Sequence, residues 1–164
     1  MIRFLLVVIC VGVASCSATP TAIPLTPSYA SKDAAVTAFL QALAARDTDT
    51  LAQLVVNQNE FLKHIWPALP ASRPAVGMPA DRAWAEQSQR NAAFLAQTLA
   101  EHGRRRYELV AVSFGAPATT YGAFTLHPEA TLDVRETGGV RELRLFGSMI
   151  ESGGRWKIYS FVVD

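Results

Sequence analysis

Cysteine is nearly absent from this sequence. Among 164 residues there are two, Cys10 and Cys16, and both stand near the start. Residues 17–164 therefore hold no thiol, which excludes a disulfide framework, a thiolate metal site and a cysteine nucleophile. An excess of charge of one sign is also lacking. Fifteen Lys and Arg against fourteen Asp and Glu give a formal net charge of +1, and Arg3 in the opening stretch supplies one of the positives. Nucleic acid demands a concentrated basic surface, so it is not an expected partner. Long apolar runs are missing too. The run from Phe4 to Val13 is about half of the ~20 residues that span a bilayer. Histidine is scarce, and His64, His102 and His127 stand at no metal-ligand spacing from one another. No metal and no cofactor is assigned.

What is present begins with a leader. Met1-Ile2-Arg3 is a short basic start, the apolar run follows, and Val13-Ala14-Ser15-Cys16 closes it. That closing tetrapeptide resembles the lipobox of bacterial lipoproteins: aliphatic, small, small, cysteine. The resemblance implies that residues 1–15 are removed and that Cys16 is acylated, anchoring the chain to a lipid bilayer. Ser17, where an aspartate would stand in an inner-membrane signal, resembles the sorting signal for the outer membrane, facing the periplasm. Residues 16–30, rich in Pro, Thr and Ser, are expected to form a semi-extended tether that lets the domain stand off the membrane.

Residues 31–164 are expected to be one α+β domain. Half of the full chain is apolar and 18% is charged, as in globular proteins. Ser31 can cap a helix carrying Val36, Phe39, Leu40 and Leu43 on one face, and Arg46 to Asp49 break it. A second short helix presents Leu51, Leu54 and Val55. Glu60 to Trp66 form a further turn that Pro67 stops, before a loop punctuated by Pro70, Pro74 and Pro79. A long helix from Pro79-Ala80-Asp81 to about Glu101 is expected to bury Trp84, Ala92, Leu95 and Leu99, with Gly103 as its stop. Beyond Gly103 the period changes to 2. Strands are expected from Tyr107 to Phe114, from Thr120 to Arg135 with a break at His127-Pro128, from Arg141 to Glu151, and from Arg155 to Val163. The last is apolar on both faces, which suits a central or wrapped strand.

This order, helices first and then an antiparallel meander, resembles the nuclear transport factor 2-like fold shared by ketosteroid isomerase, scytalone dehydratase and SnoaL-like proteins. The chain is also similar to uncharacterised bacterial lipoproteins of that superfamily over Phe61 to Pro74, Gln87 to Asn91, and Leu143 to Glu151 leading into Gly154-Arg155-Trp156-Lys157. The resemblance implies a cone of helices on a curled sheet. Its interior is either plugged by side chains or holds a ligand.

The enzymes of that fold use a carboxylate or histidine base beside tyrosines in an apolar pocket. No residue here matches their motifs position by position. Candidate lining residues for a pocket are His64, Trp66, Trp84, Tyr107, Asp133 and Tyr159. The expected function is membrane-anchored binding of a small apolar ligand or an envelope protein, with a homodimer as a further partner state. The alternative is an isomerase- or dehydratase-like enzyme using His64 or Asp133. Arg104-Arg105-Arg106 beside His102 reads as a solvated helix end, or as a contact for lipid headgroups.

Overall fold

A computed structural model describes residues 21–75 and 77–163. The leader and Cys16 lie outside the described residues. The described residues are α+β, with four α-helices followed by seven strands in two antiparallel sheets.

Helix α1 spans Lys32–Ala45. Ser31 caps it as expected, its Oγ accepting from Ala34 N at 3.1 Å. Arg46 ends it in the left-handed region at φ 55°, and Asp47 N returns to Ala42 O. Helix α2, Thr48–Leu54, starts on Asp47. Helix α3, Gln58–Glu60, is one turn long and carries a reciprocal cap: Glu60 N donates to Asn57 Oδ1 and Asn57 N donates to Glu60 Oε2. The chain then widens into a π-turn, Phe61–Ile65, and tightens into a 3-10 turn at Trp66–Ala68, where Pro67 cannot continue the wider ladder.

Helix α4 spans Ala80–His102. Its buried stripe departs from the expectation. Ala92 is exposed, Trp84 and Leu95 are half-buried, and the buried positions are Ala83, Gln87, Asn91 and Leu99. Two amides lie inward because the helix crosses the last strand, whose backbone needs partners. Asn91 Oδ1 accepts from Phe161 N at 2.9 Å and Ser160 Oγ at 3.1 Å, and Gln87 Nε2 donates to Tyr159 O at 3.3 Å.

The strands are β1 Glu108–Phe114, β2 Thr119–Tyr121, β3 Phe124–Pro128, β4 Ala130–Glu136, β5 Gly139–Leu143, β6 Ser148–Ser152 and β7 Arg155–Ser160. One sheet has the order β1-β4-β5 and the other β2-β3-β6-β7. The expected strand from Thr120 to Arg135 is divided, and β3 turns into β4 at Glu129 (φ 54°), one residue beyond Pro128. The expected strand from Arg141 to Glu151 is also divided. β5 and β6 belong to different sheets, because Leu145 and Phe146 turn into the core between them. Gly147 lies against the Val162 carbonyl, where no Cβ fits. In β1 a register shift between Leu109 and Ala111 leaves Val110 exposed and moves the buried phase to Val112.

Strand β7 is not central. It ends its sheet, and its outer edge is wrapped by other segments. Tyr29 exchanges two backbone hydrogen bonds with Trp156 at 2.9 and 2.8 Å, and Val56 N donates to Ile158 O at 2.9 Å. The expected tether is thus docked over its second half. Ile23 and Leu25 are buried, since two large apolar side chains gain more from the core than from solvent.

Two apolar cores result. Helix α1 packs on β1 and β7, and Phe39, Leu43, Phe146, Met149, Ile158 and Phe161 fill the space between it and the sheets. Phe39 meets Phe146 edge-on at 5.4 Å between centroids. The second core joins Ile23, Leu25, Phe61, Ile65, Trp66, Phe124 and Ile150.

Candidate functional site

With the space under α1 filled by side chains, the clefts lie at the surface. An apolar one of about 310 Å³ opens between the link that follows α2 and helix α4. Val55 and Val56 form one wall, Trp84, Asn91 and Leu95 the other, and Phe161 closes the floor. Phe61 braces Trp84 from the core side at 5.4 Å between ring centroids. Asn91 gives Oδ1 to Phe161 and Ser160, which leaves its amide N–H groups as donors for anything seated in the cleft that it lines. A few polar groups around an apolar floor is the usual make-up of a small-molecule site.

The other sequence-derived candidates are scattered. Tyr107 lines a separate cleft of about 660 Å³ between α1 and the start of β1. Its hydroxyl accepts from Arg141 Nη2 at 2.9 Å and shares a hydrogen bond of 2.8 Å with His102 Nδ1. Burial holds His102 below its ordinary pKa, against the pull of Glu101. Tyr159 lines a third cleft, of about 280 Å³, with Arg90 and Glu129. Burial pushes the Tyr159 hydroxyl up to about 12, and Gln87 Oε1 accepts from it at 3.4 Å. Asp133 sits half-buried on β4, paired across the sheet with Glu142 and Ala111. Trp66 packs into the second core against Phe61 at 5.7 Å. His64 is half-buried on the π-turn and makes no hydrogen bond or ring contact with Asp133, Tyr107 or Tyr159. His64 and Asp133 therefore do not converge with Tyr107 or Tyr159. Of the six candidates, Trp84 alone lines the apolar cleft.

Two polar sites went unread in the sequence. The first is the ion pair of Glu60 and Lys157, whose side chains are 3% and 0% exposed. Lys157 Nζ reaches both carboxylate oxygens, at 3.0 and 2.9 Å, and donates to Thr26 O at 2.8 Å. Glu60 Oε1 also accepts from Thr26 N at 2.7 Å. Burial pushes Lys157 below the usual lysine range, and the Glu60 carboxylate opposes that push. The signal was a lysine between Trp156 and Ile158 in an otherwise apolar strand.

The second is His127. It sits between Phe114 and Trp156 at 5.0 and 4.7 Å between ring centroids. Its Nε2 is buried without a hydrogen-bond partner, 3.8 Å from Glu151 Oε2. Desolvation lowers its pKa, and Glu151 raises it by less. No group of three or more His, Cys, Asp or Glu that could hold a metal occurs among the described residues, and no described helix is long and apolar enough to cross a membrane. Comparison of the chain with protein-family models, with curated proteins and with solved structures finds no match.

Proposed function

We propose that this chain is a bacterial lipoprotein, acylated on Cys16 and held at the periplasmic face of the outer membrane, whose nuclear transport factor 2-like domain binds a small apolar ligand. The anchor rests on the short leader and on Val13-Ala14-Ser15-Cys16. Helices packed on antiparallel strands of two sheets support the fold reading. The observation that carries the binding reading is the apolar cleft with Trp84, Asn91 and Leu95 in one wall and Phe161 at its floor. At about 310 Å³ it sits at the small end of ligand-site volumes. No proton-transfer step is assigned, because no base stands beside a second polar group in that cleft.

Titration with 1-anilinonaphthalene-8-sulfonate tests the reading. Binding is expected to quench Trp84 emission, and Ala92→Phe, at an exposed lining position, is expected to block it without unfolding the domain. Probe binding unchanged in that variant would sink the small-ligand reading. An envelope protein that requires the same cleft would replace it.

A further inference from the structure

We infer that the domain is held close against the bilayer with the β2–β3 and β6–β7 turns facing the lipid, and with Arg104-Arg105-Arg106 directed away from it. The inference rests on Cys16 being the acylated residue, as proposed above. Its own ground is where the docked segment ends.

The segment leading to α1 does not hang free. Ile23 N donates to Ser152 Oγ at 2.8 Å, and that hydroxyl donates to Ala123 O at 2.6 Å. Ala22 lies against Gly153 in the β6–β7 turn. Further along, Thr26 is held by both Glu60 and Lys157, and Tyr29 by Trp156. The docked segment therefore begins at one defined end of the domain, where the β2–β3 and β6–β7 turns meet.

Length then decides the geometry. From Cys16 to Ala22 a fully extended chain spans about 20 Å. A tether free through residue 30 would span about 50 Å at full extension. A domain of this size has a radius of gyration of about 14 Å, hence a width of roughly 35–40 Å. A 20 Å leash fixed at one end lets the domain lean but not invert.

The Arg104–Arg106 run lies at the far end. Arg105 faces Glu136 at 3.8 Å, at the end of β4 remote from β3. It is thus out of reach of the headgroups to which the sequence could have assigned it. The near end suits a lipid surface in its charge: the turns 121–123 and 152–155 carry Arg155 and no carboxylate. Arg155 also holds Ser28, so the one cation there is tied to the docked segment.

The test uses the full lipidated protein in phosphatidylethanolamine and phosphatidylglycerol vesicles that carry nitroxide headgroups. Fluorophores are placed through Thr120→Cys beside the near turns and through Thr137→Cys at the β4–β5 turn, both exposed. Quenching several-fold stronger at position 120 than at 137 is expected. A flexible insert of about twenty residues between Thr21 and Ala22 should abolish the difference. Mass spectrometry of the same sample reports acylation of Cys16. An unacylated Cys16 overturns the anchor and this inference together. An acylated Cys16 with equal or reversed quenching, or a difference that survives the insert, overturns the orientation alone.

Discussion

Lys157 and Glu60 stand 97 residues apart in the chain and meet with Nζ within 3.0 Å of both carboxylate oxygens, almost wholly out of solvent. Through Thr26 the pair also fastens the segment that precedes α1 onto the four-stranded sheet. A buried pair of this kind contributes little over an apolar substitute, but breaking it is costly because one charge stays behind.

Glu60→Gln should therefore destabilise the domain by roughly 3–5 kcal/mol, leaving the Lys157 ammonium buried without its counter-ion. Glu60→Gln combined with Lys157→Met should recover much of that loss. Urea unfolding of the two variants decides the matter. A double variant as unstable as the single one would show that the pair acts through packing rather than charge.

The pH response follows from His127. Its folded pKa lies below the ordinary value of 6.5, chiefly through burial. The unfolded chain then binds the proton more readily. The stability is fully present above about pH 6.5 and falls away as the pH drops below it. His102, lowered by burial as well, adds to the same slope. Thermal melting between pH 7.5 and pH 5.5 should show a falling midpoint, flattened in a variant carrying His127→Leu and His102→Asn. An undiminished slope in that variant would assign the effect to other groups.

Asn91 and Ala92 separate the observed helix face from the expected one. Asn91→Ala strips the partner from the buried Phe161 N–H and should cost about 1–3 kcal/mol. Ala92→Lys, on the exposed side, should stay within about 0.5 kcal/mol of the parent. Chemical denaturation of both variants measures this, and comparable losses would contradict the orientation of α4.

The proposed anchor has its own test. Cys16→Ser removes the thiol proposed to accept the acyl chain, so radiolabelled palmitate incorporation should vanish and the leader should stay attached. Normal labelling in that variant would place the lipid elsewhere.

Much of the fold was legible because local rules acted unopposed. Ser31, Arg46 and Gly103 bound their helical segments in the structure, since caps and breakers depend on neighbours within a few residues, whereas Pro67 lies inside the 3-10 turn Trp66–Ala68 rather than stopping the segment. The apolar period of 3.6 placed α1 correctly for the same reason. The period failed for α4, where the inward face carries Gln87 and Asn91 to satisfy a strand backbone that approaches from the far end of the chain. It failed again between Leu143 and Ser148, where Leu143, Leu145 and Met149 in one phase concealed a change of sheet. The candidate site was legible only in Trp84, because a cleft is formed by whatever elements happen to meet there.

The sequence by itself determined the α+β class, the helix limits and the thiol-free domain, all of them consequences of composition and short-range geometry. Only the tertiary structure decided that Lys157 would find Glu60, that His127 would be enclosed by Phe114 and Trp156, and that residues 23–29 would dock rather than swing free. Each of these depends on desolvation by residues distant in the chain, and the strength of that effect is unknown until the chain has closed around the group.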